Sequence, residues 1–227
     1  MNTTVASSDF DWIKRFDPKK NLLRGRSYHI AKRIMDLSLV ILAIPFWLSL
    51  LGLITVLVLL SDPTAPVFFT QQRTGKGGRH FSMYKIRTMV KNAEDLKQEY
   101  AHLNKLQWPD FKIVNDPRAT LVGRFLRKTR LDELPQFFNI LRGEMSLVGP
   151  RPTSFGLETY RLWQTERLDV LPGLTGLWQI VRHDDSEFAE RLRLDIAYIE
   201  RRSLRFDFQI LIRTFTAFFQ FLRSDTF

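Results

Sequence analysis

The chain has 227 residues, with 34 Lys and Arg against 24 Asp and Glu, and no cysteine. The missing cysteines exclude a disulfide scaffold, thiolate catalysis and cysteine-held zinc, and 44% hydrophobic content with 13% aromatics excludes a disordered basic tail. A net charge of +10 on a chain long enough to bury a core points to a polyanionic partner: nucleic acid, anionic lipid or phosphorylated small molecules.

Residues 1–27 are polar, lack apolar periodicity and read as a flexible N-terminal arm. Residues 28–61 read as a membrane-associated segment. No charged residue lies between Asp36 and Asp62, and Leu37 to Ser61 is mostly Leu, Ile, Val, Phe and Trp. As a helix this run reaches roughly 37 Å, against a hydrocarbon layer of about 30 Å. Lys19, Lys20, Arg24, Arg26, Lys32 and Arg33 precede it; Arg73, Lys76, Arg79, Lys85 and Arg87 follow. A crossing helix sorts positive charge to one side. The near-even flanks fit a segment that dips in and returns, and Pro45 supplies a break. A spanning helix with a tolerated proline is the equal alternative on these residues.

Residues 62–227 read as a second unit. Asp62-Pro63 and Pro66 stop the apolar helix. Val67-Phe68-Phe69 and His80 to Thr88 read as a β-hairpin around Gly75-Lys76-Gly77-Gly78, a cluster that fails the P-loop pattern. Ala93, Leu96, Tyr100 and Leu103 predict a polar helix over Lys91 to Leu106, and a basic helix follows over Leu121 to Arg130. Another helix starts near Leu134-Pro135 and stops at Gly143, with loops over 143–156 and 172–176. Glu187 to Arg201 reads as an amphipathic helix. Asp207 to Leu222 reads as an aromatic helix which, with Arg205, Arg213 and Arg223, suits a membrane interface or, equally, a core from which arginines snorkel. The expected fold class is α+β, mainly helical.

Asp132 and Glu133 follow Arg124, Arg127, Lys128 and Arg130 and precede Pro135, which places them at a helix N-terminus. Helix capping alone would account for such a pair. A carboxylate kept ionised by cations and a helix dipole is also a nucleophile toward phosphorus, and its neighbour is able to hold Mg²⁺ against a diphosphate. Pro150-Arg151-Pro152 holds an arginine in a stiff extended segment, preorganised for a phosphate or uracil-type ligand. His29, His80, His102 and His183 have no metal-ligand spacing, which argues against zinc.

Several longer motifs occur in order: Pro66 to Phe69, Gln72 to Gly75, Tyr84 to Met89, Asn115 to Arg118, Leu131 to Gln136, Met145 to Pro152 and Pro172 to Gln179. Together they resemble the bacterial sugar transferase family, the monotopic polyprenyl-phosphate phosphoglycosyl transferases, over about residues 28–222. The resemblance implies transfer of a hexose-1-phosphate from a UDP-sugar to undecaprenyl phosphate, releasing UMP, through a covalent phosphosugar intermediate and with Mg²⁺. Such a step initiates exopolysaccharide or other glycoconjugate synthesis at the cytoplasmic face of the bacterial inner membrane. By motif, Asp132 is the implied nucleophile, Glu133 the Mg²⁺ ligand and Arg151 the ligand of the nucleotide-sugar phosphates. Arg118, Arg127, Arg130, Lys85 and Arg87 complete the expected anion-binding set, although Lys85 and Arg87 are equally well explained as strand residues. The family also implies a re-entrant helical hairpin broken at Pro45, beside a small catalytic domain with a β-hairpin and interfacial amphipathic helices.

Two departures stand out. Arg130 occupies a position where many members carry serine, and Ile180-Val181-Arg182-His183 follows Trp178-Gln179 where a Gly-Arg pair is common. Either Arg182 or His183 takes that arginine's place as a substrate contact. The expected partners are the UDP-sugar, undecaprenyl phosphate and membrane lipid, without nucleic acid; a homodimer is left open, as is the sugar. A nucleotide-sugar pyrophosphatase and a non-catalytic basic membrane adaptor are the competing readings.

Overall fold

The computed structural model describes residues 12–104, 113–154, 156, 160–181 and 188–224. The N-terminal end of the expected arm, Arg182 and His183 lie outside these residues.

The apolar run forms two helices. Helix α1 (Gly25–Leu42) ends at Ala43, and α2 (Ile44–Ser61) begins at once with Pro45 in its first turn. A first-turn proline lacks an N–H that no helical carbonyl would have received, so Pro45 opens α2 rather than kinking it. Across the break, the Trp47 indole Nε1 donates to the Val40 carbonyl at 3.0 Å. Helix α2, with a mean hydropathy of 2.3, is long and apolar enough to cross a membrane by length and composition. One stripe of it, Trp47, Leu51, Ile54 and Val58, is nevertheless buried, at the three- and four-residue steps of a single helix face. Phe46, Leu53, Val56 and Leu60 are exposed elsewhere on the helix.

Both ends of the helix pair are bonded to the rest of the chain. In α1, Asp36 accepts from the Ser146 hydroxyl at 2.7 Å, and Arg33 donates to the carbonyls of Ile140 and Leu141. Beyond α2, Asp62 accepts from Arg87 Nη1 at 3.0 Å, while Arg87 Nη2 donates to the Asp62 carbonyl.

The hairpin forms as expected. Strand β1 (Phe68–Thr74) pairs antiparallel with β2 (His80–Ile86), placing Phe69 opposite Lys85 and Arg73 opposite Phe81. Its turn needs Gly77 at φ 64°, a left-handed conformation that glycine adopts without steric cost. The helix expected over Lys91 to Leu106 is absent among the described residues, where only 3₁₀ turns form at Asp95–Lys97 and Ala101–Leu103. Ala93, Leu96 and Tyr100 of the stripe are only half-buried and Leu103 is exposed, so the stripe buries too little to stabilise a short helix.

Helix α3 (Leu121–Lys128) is capped by the Thr120 hydroxyl, which accepts from the Gly123 N–H at 2.9 Å. A Cβ on Gly123 would stand 1.9 Å from the Thr88 carbonyl oxygen, so the helix rests backbone to backbone on the segment after β2. Gly123→Ala should therefore destabilise the fold by about 1–3 kcal/mol through overpacking, even though alanine is the better helix former by about 1 kcal/mol. Denaturant unfolding of the two proteins measures this; a more stable variant would contradict the close approach.

A 3₁₀ turn at Leu131–Glu133 leads into α4 (Gln136–Arg142), which ends at Gly143 with φ 80°, the expected C′ glycine. Strands β3 (Ser146–Val148) and β4 (Gly173–Thr175) then pair in parallel, where the sequence suggests only loops. A Cβ on Gly173 would sit 2.1 Å from the Gly149 nitrogen. These glycines serve close strand approach rather than loop flexibility. Helices α5 (Leu177–Val181), α6 (Phe188–Arg201) and α7 (Leu204–Ser224) complete the order. The two readings of α7 divide between its faces: Phe206 and Ile210 are fully buried, whereas Phe208, Ile212 and Phe215 are exposed.

Candidate active site

The site begins at a reversal of the chain. Helix α3 stops at Thr129, Arg130 takes a left-handed conformation at φ 55°, and the next turn carries Asp132 and Glu133 inward. Both carboxylates are buried. Asn139, itself fully buried, holds α4 to β2 by accepting from the Tyr84 N–H and donating to the Ser82 carbonyl. That register brings Lys85 to the carboxylate turn.

Glu133 is the ion-paired member. Arg151 approaches Oε1 through Nη2 at 2.5 Å and Oε2 through Nη1 at 3.3 Å, and Lys85 Nζ lies 3.4 Å from Oε1. Burial raises the Glu133 pKa, but Arg151 and Lys85 outweigh it and hold the carboxyl at about 2. Asp132 goes the other way: burial, then the Glu133 charge, push it up to about 6 against Lys85, Arg151 and Arg127. This corrects the source of ionisation read from the sequence. The dyad sits on a 3₁₀ turn before a short helix, not on a helix end, and the nearest cations serve Glu133.

No described residue donates a hydrogen bond to the Asp132 carboxylate, which lines a cavity of roughly 760 Å³. Lys85, Arg87, Arg118, Arg127 and Arg151 line it too, and Glu133 is paired with two of them, Lys85 and Arg151. Arg118 directs its guanidinium to Asp116 at 2.9 and 2.7 Å and to the Ala93 carbonyl, and Arg87 directs its own to Asp62. Both therefore brace the wall. Arg130 is exposed outside the turn and reaches the site as a charge felt by Glu133.

Two further features escaped the sequence reading. Arg73 lines the cavity beside Arg151, with its pKa lowered to about 10 by burial and by that neighbour. Strand alternation was the available signal, since Arg73 shares a hairpin face with Lys85. The second feature is a buried ion pair between Arg167 and Asp195 at 2.8 Å, in which Arg167 Nη2 also donates to the Arg151 carbonyl at 2.5 Å. It joins residues far apart in sequence, so no local pattern announces it.

Burial pushes Asp195 up to about 6, against Arg167 and Arg191. A raised carboxyl pKa means proton uptake on folding, so the stability it contributes is full below pH 4 and is lost as pH rises through about 6. The Tm advantage of the parent chain over Asp195→Asn should accordingly shrink between pH 4 and 7. A difference that grows with pH would reverse the assignment.

Among the described residues no group of three or more His, Cys, Asp or Glu is placed to hold a metal alone. Mg²⁺ asks for less, because one or two carboxylates suffice when substrate phosphates supply other oxygens. Asp132 and Glu133 are a hard-oxygen pair of that size, and no described residue donates to Asp132. The donor set fits Mg²⁺ carried in with a diphosphate.

A small mixed fold beside one long apolar helix, with a buried Asp132 facing a cationic cavity, fits an anion-handling enzyme, and the helix is consistent with membrane association. The sequence profile described as bacterial sugar transferase matches residues 27–221. The chain is 40% identical over 204 residues to an undecaprenyl-phosphate galactose phosphotransferase of Salmonella typhimurium, covering 86% of this chain and 42% of that protein. It is 40% identical over 193 residues to the exopolysaccharide production protein ExoY of Rhizobium meliloti, covering 83% and 85%. Similarity of 38% over 204 residues extends to an Aeromonas hydrophila UDP-N-acetylgalactosamine-undecaprenyl-phosphate N-acetylgalactosaminephosphotransferase, covering 86% and 45%. The chain thus spans less than half the length of some relatives and most of ExoY. It belongs to the bacterial sugar transferase family.

Proposed function

We propose that the chain transfers a sugar-1-phosphate from a UDP-sugar to undecaprenyl phosphate. The observation that carries this reading is Asp132, buried, with no hydrogen-bond donor among the described residues, and facing a cavity crowded with cations. The printed activities of the Salmonella and Aeromonas relatives support the substrate class. An Asp132 oxygen attacks the β-phosphorus of the donor; the bond from that phosphorus to the bridging oxygen breaks, and UMP leaves with the bridge. An oxygen of the acceptor phosphate then attacks the same phosphorus, displacing the Asp132 carboxylate and giving a lipid diphosphate sugar. Arg151 and Lys85 pair with phosphate oxygens as charge shifts onto the leaving group. Glu133, with Asp132 beside it, would hold Mg²⁺, which supplies charge neutralisation at the diphosphate.

The same reading places α1 and α2 as a re-entrant pair with the catalytic body on the cytoplasmic face. Its support is the break at Ala43–Pro45 and the bonding of both Asp36 and Asp62 to one body. The ExoY similarity supports a role in starting exopolysaccharide synthesis.

The test is UMP release across a panel of UDP-sugars, with and without undecaprenyl phosphate, in Mg²⁺. Acceptor-free UMP stoichiometric with enzyme, followed by turnover on adding the lipid phosphate, is expected. Continuous release without acceptor would make the protein a pyrophosphatase, and no release from any UDP-sugar would end the proposal.

A further inference from the structure

Arg151 sits between Pro150 and Pro152, neither of which has an N–H to give. The segment is held through its carbonyl oxygens. The Pro150 carbonyl accepts from the Gly173 N–H of β4 at 2.8 Å, and the Thr153 carbonyl accepts from the Thr74 N–H of β1 at 2.9 Å. Between them, the Arg151 carbonyl accepts from Arg167 Nη2 at 2.5 Å. The outer two bonds run main chain to main chain. The middle one comes from a side chain, and it falls on the residue whose guanidinium faces Glu133.

Arg167 belongs to a 3₁₀ segment, Leu162–Asp169. Its Nη2 has a second contact, Asp195 Oδ2 of α6 at 2.8 Å, and the two residues are buried at 5% and 2% exposure. One nitrogen therefore ties α6 to the Arg151 backbone. Stability alone is a weak reason for such a pair, because apolar residues of similar volume often serve a buried position as well or better. Position is a stronger reason. A misplacement of about 1 Å in the reacting geometry can cost about a hundredfold in rate, and the transferase reading sets donor phosphates against Arg151.

We propose that Arg167, held by Asp195, is a positioning residue that sets the Arg151 guanidinium against the donor's diphosphate by way of the Arg151 carbonyl. The inference rests on the transferase reading above and adds to it the residues that keep its anion ligand in place. Arg167 and Asp195 both line the cavity and together bring no net charge to it. Replacing both leaves the charge count of the cavity unchanged, so a loss of function reports geometry.

The experiment uses the full chain in lipid nanodiscs with Mg²⁺ and reads three quantities: UDP affinity, acceptor-free UMP release from the UDP-sugar that gives the best turnover, and thermal unfolding. Arg167→Met combined with Asp195→Leu removes the pair without stranding a charge and should unfold within about 3 °C of the parent. Its UDP affinity should fall about fivefold or more, and its UMP release about tenfold or more. In an Arg151→Ala background the same replacement should change UDP affinity by less than about twofold, because no guanidinium is left to place. Arg167→Lys guards against a doubly substituted protein that fails to fold. It should weaken UDP binding by about twofold or more where Arg151 is present, and not where alanine replaces it. Equal losses in the two backgrounds would mean that Arg167 meets the ligand itself or serves only the fold, and would overturn the proposal. An unchanged UDP affinity with Arg151 in place would overturn it too. Absence of acceptor-free UMP release by the parent chain would instead sink the transferase reading itself.

Discussion

Asp132→Asn should abolish UMP release and leave no radiolabelled sugar phosphate on the protein. The expected loss is at least about a thousandfold, or roughly 4 kcal/mol of transition-state stabilisation. Asparagine keeps the shape of the side chain but has no carboxylate electron pair to give phosphorus. The fold should scarcely notice. No described donor is lost, and burial already penalises the Asp132 charge, so the unfolding transition should stay close to that of the parent. A dead but stable variant separates a chemical role from a structural one. Turnover within tenfold of the parent would remove Asp132 from the nucleophile role.

The two carboxylates were legible as a pair because they are adjacent in sequence. Asp132 and Glu133 share one turn, and Arg151 lies in a short segment fixed between prolines. What the two carboxylates do to each other was not legible, since it depends on Arg151 and Lys85 arriving from other elements and choosing Glu133. Arg87 and Arg118 show the same limit from the other side. Both line the cavity, but residue type and motif gave no sign that each also pairs with a carboxylate, Arg87 with Asp62 and Arg118 with Asp116. In the fold, long periodic segments such as α6 and α7 could be read ahead of the structure. Strands β3 and β4 could not, being three residues each and set among glycines whose purpose is backbone contact across the chain. The polar segment after β2 failed in the opposite sense: it carried helical spacing, but its stripe is only half-buried among the described residues.

Asp207→Ala should be strongly destabilising although it lies outside the cavity. Asp207 is fully buried at the start of α7 and accepts from Tyr28 at 2.9 Å and Tyr198 at 2.7 Å. Lys32 Nζ of α1 lies 3.2 Å from the same carboxylate. Removing it strands a buried ammonium, with Asp36 at 3.9 Å the carboxylate left nearby among the described residues, takes the acceptor from the buried Tyr28 phenol and leaves Tyr198 only its longer contact to a carbonyl. Breaking a buried pair in this way costs about 3–5 kcal/mol. Asp207→Asn, which keeps one acceptor oxygen, should cost less, and pairing Asp207→Leu with Lys32→Met should recover much of the loss. Thermal unfolding in detergent orders the three variants. The loss should also reach the active site, because the Tyr198 hydroxyl also lies 3.2 Å from the Val148 carbonyl, at the end of β3, from which the chain continues through Gly149 and Pro150 to Arg151. A lower transfer rate under conditions where Asp207→Asn remains folded would show that the clamp on α1 also sets the position of Arg151; an unchanged rate would confine Asp207 to holding the helices together.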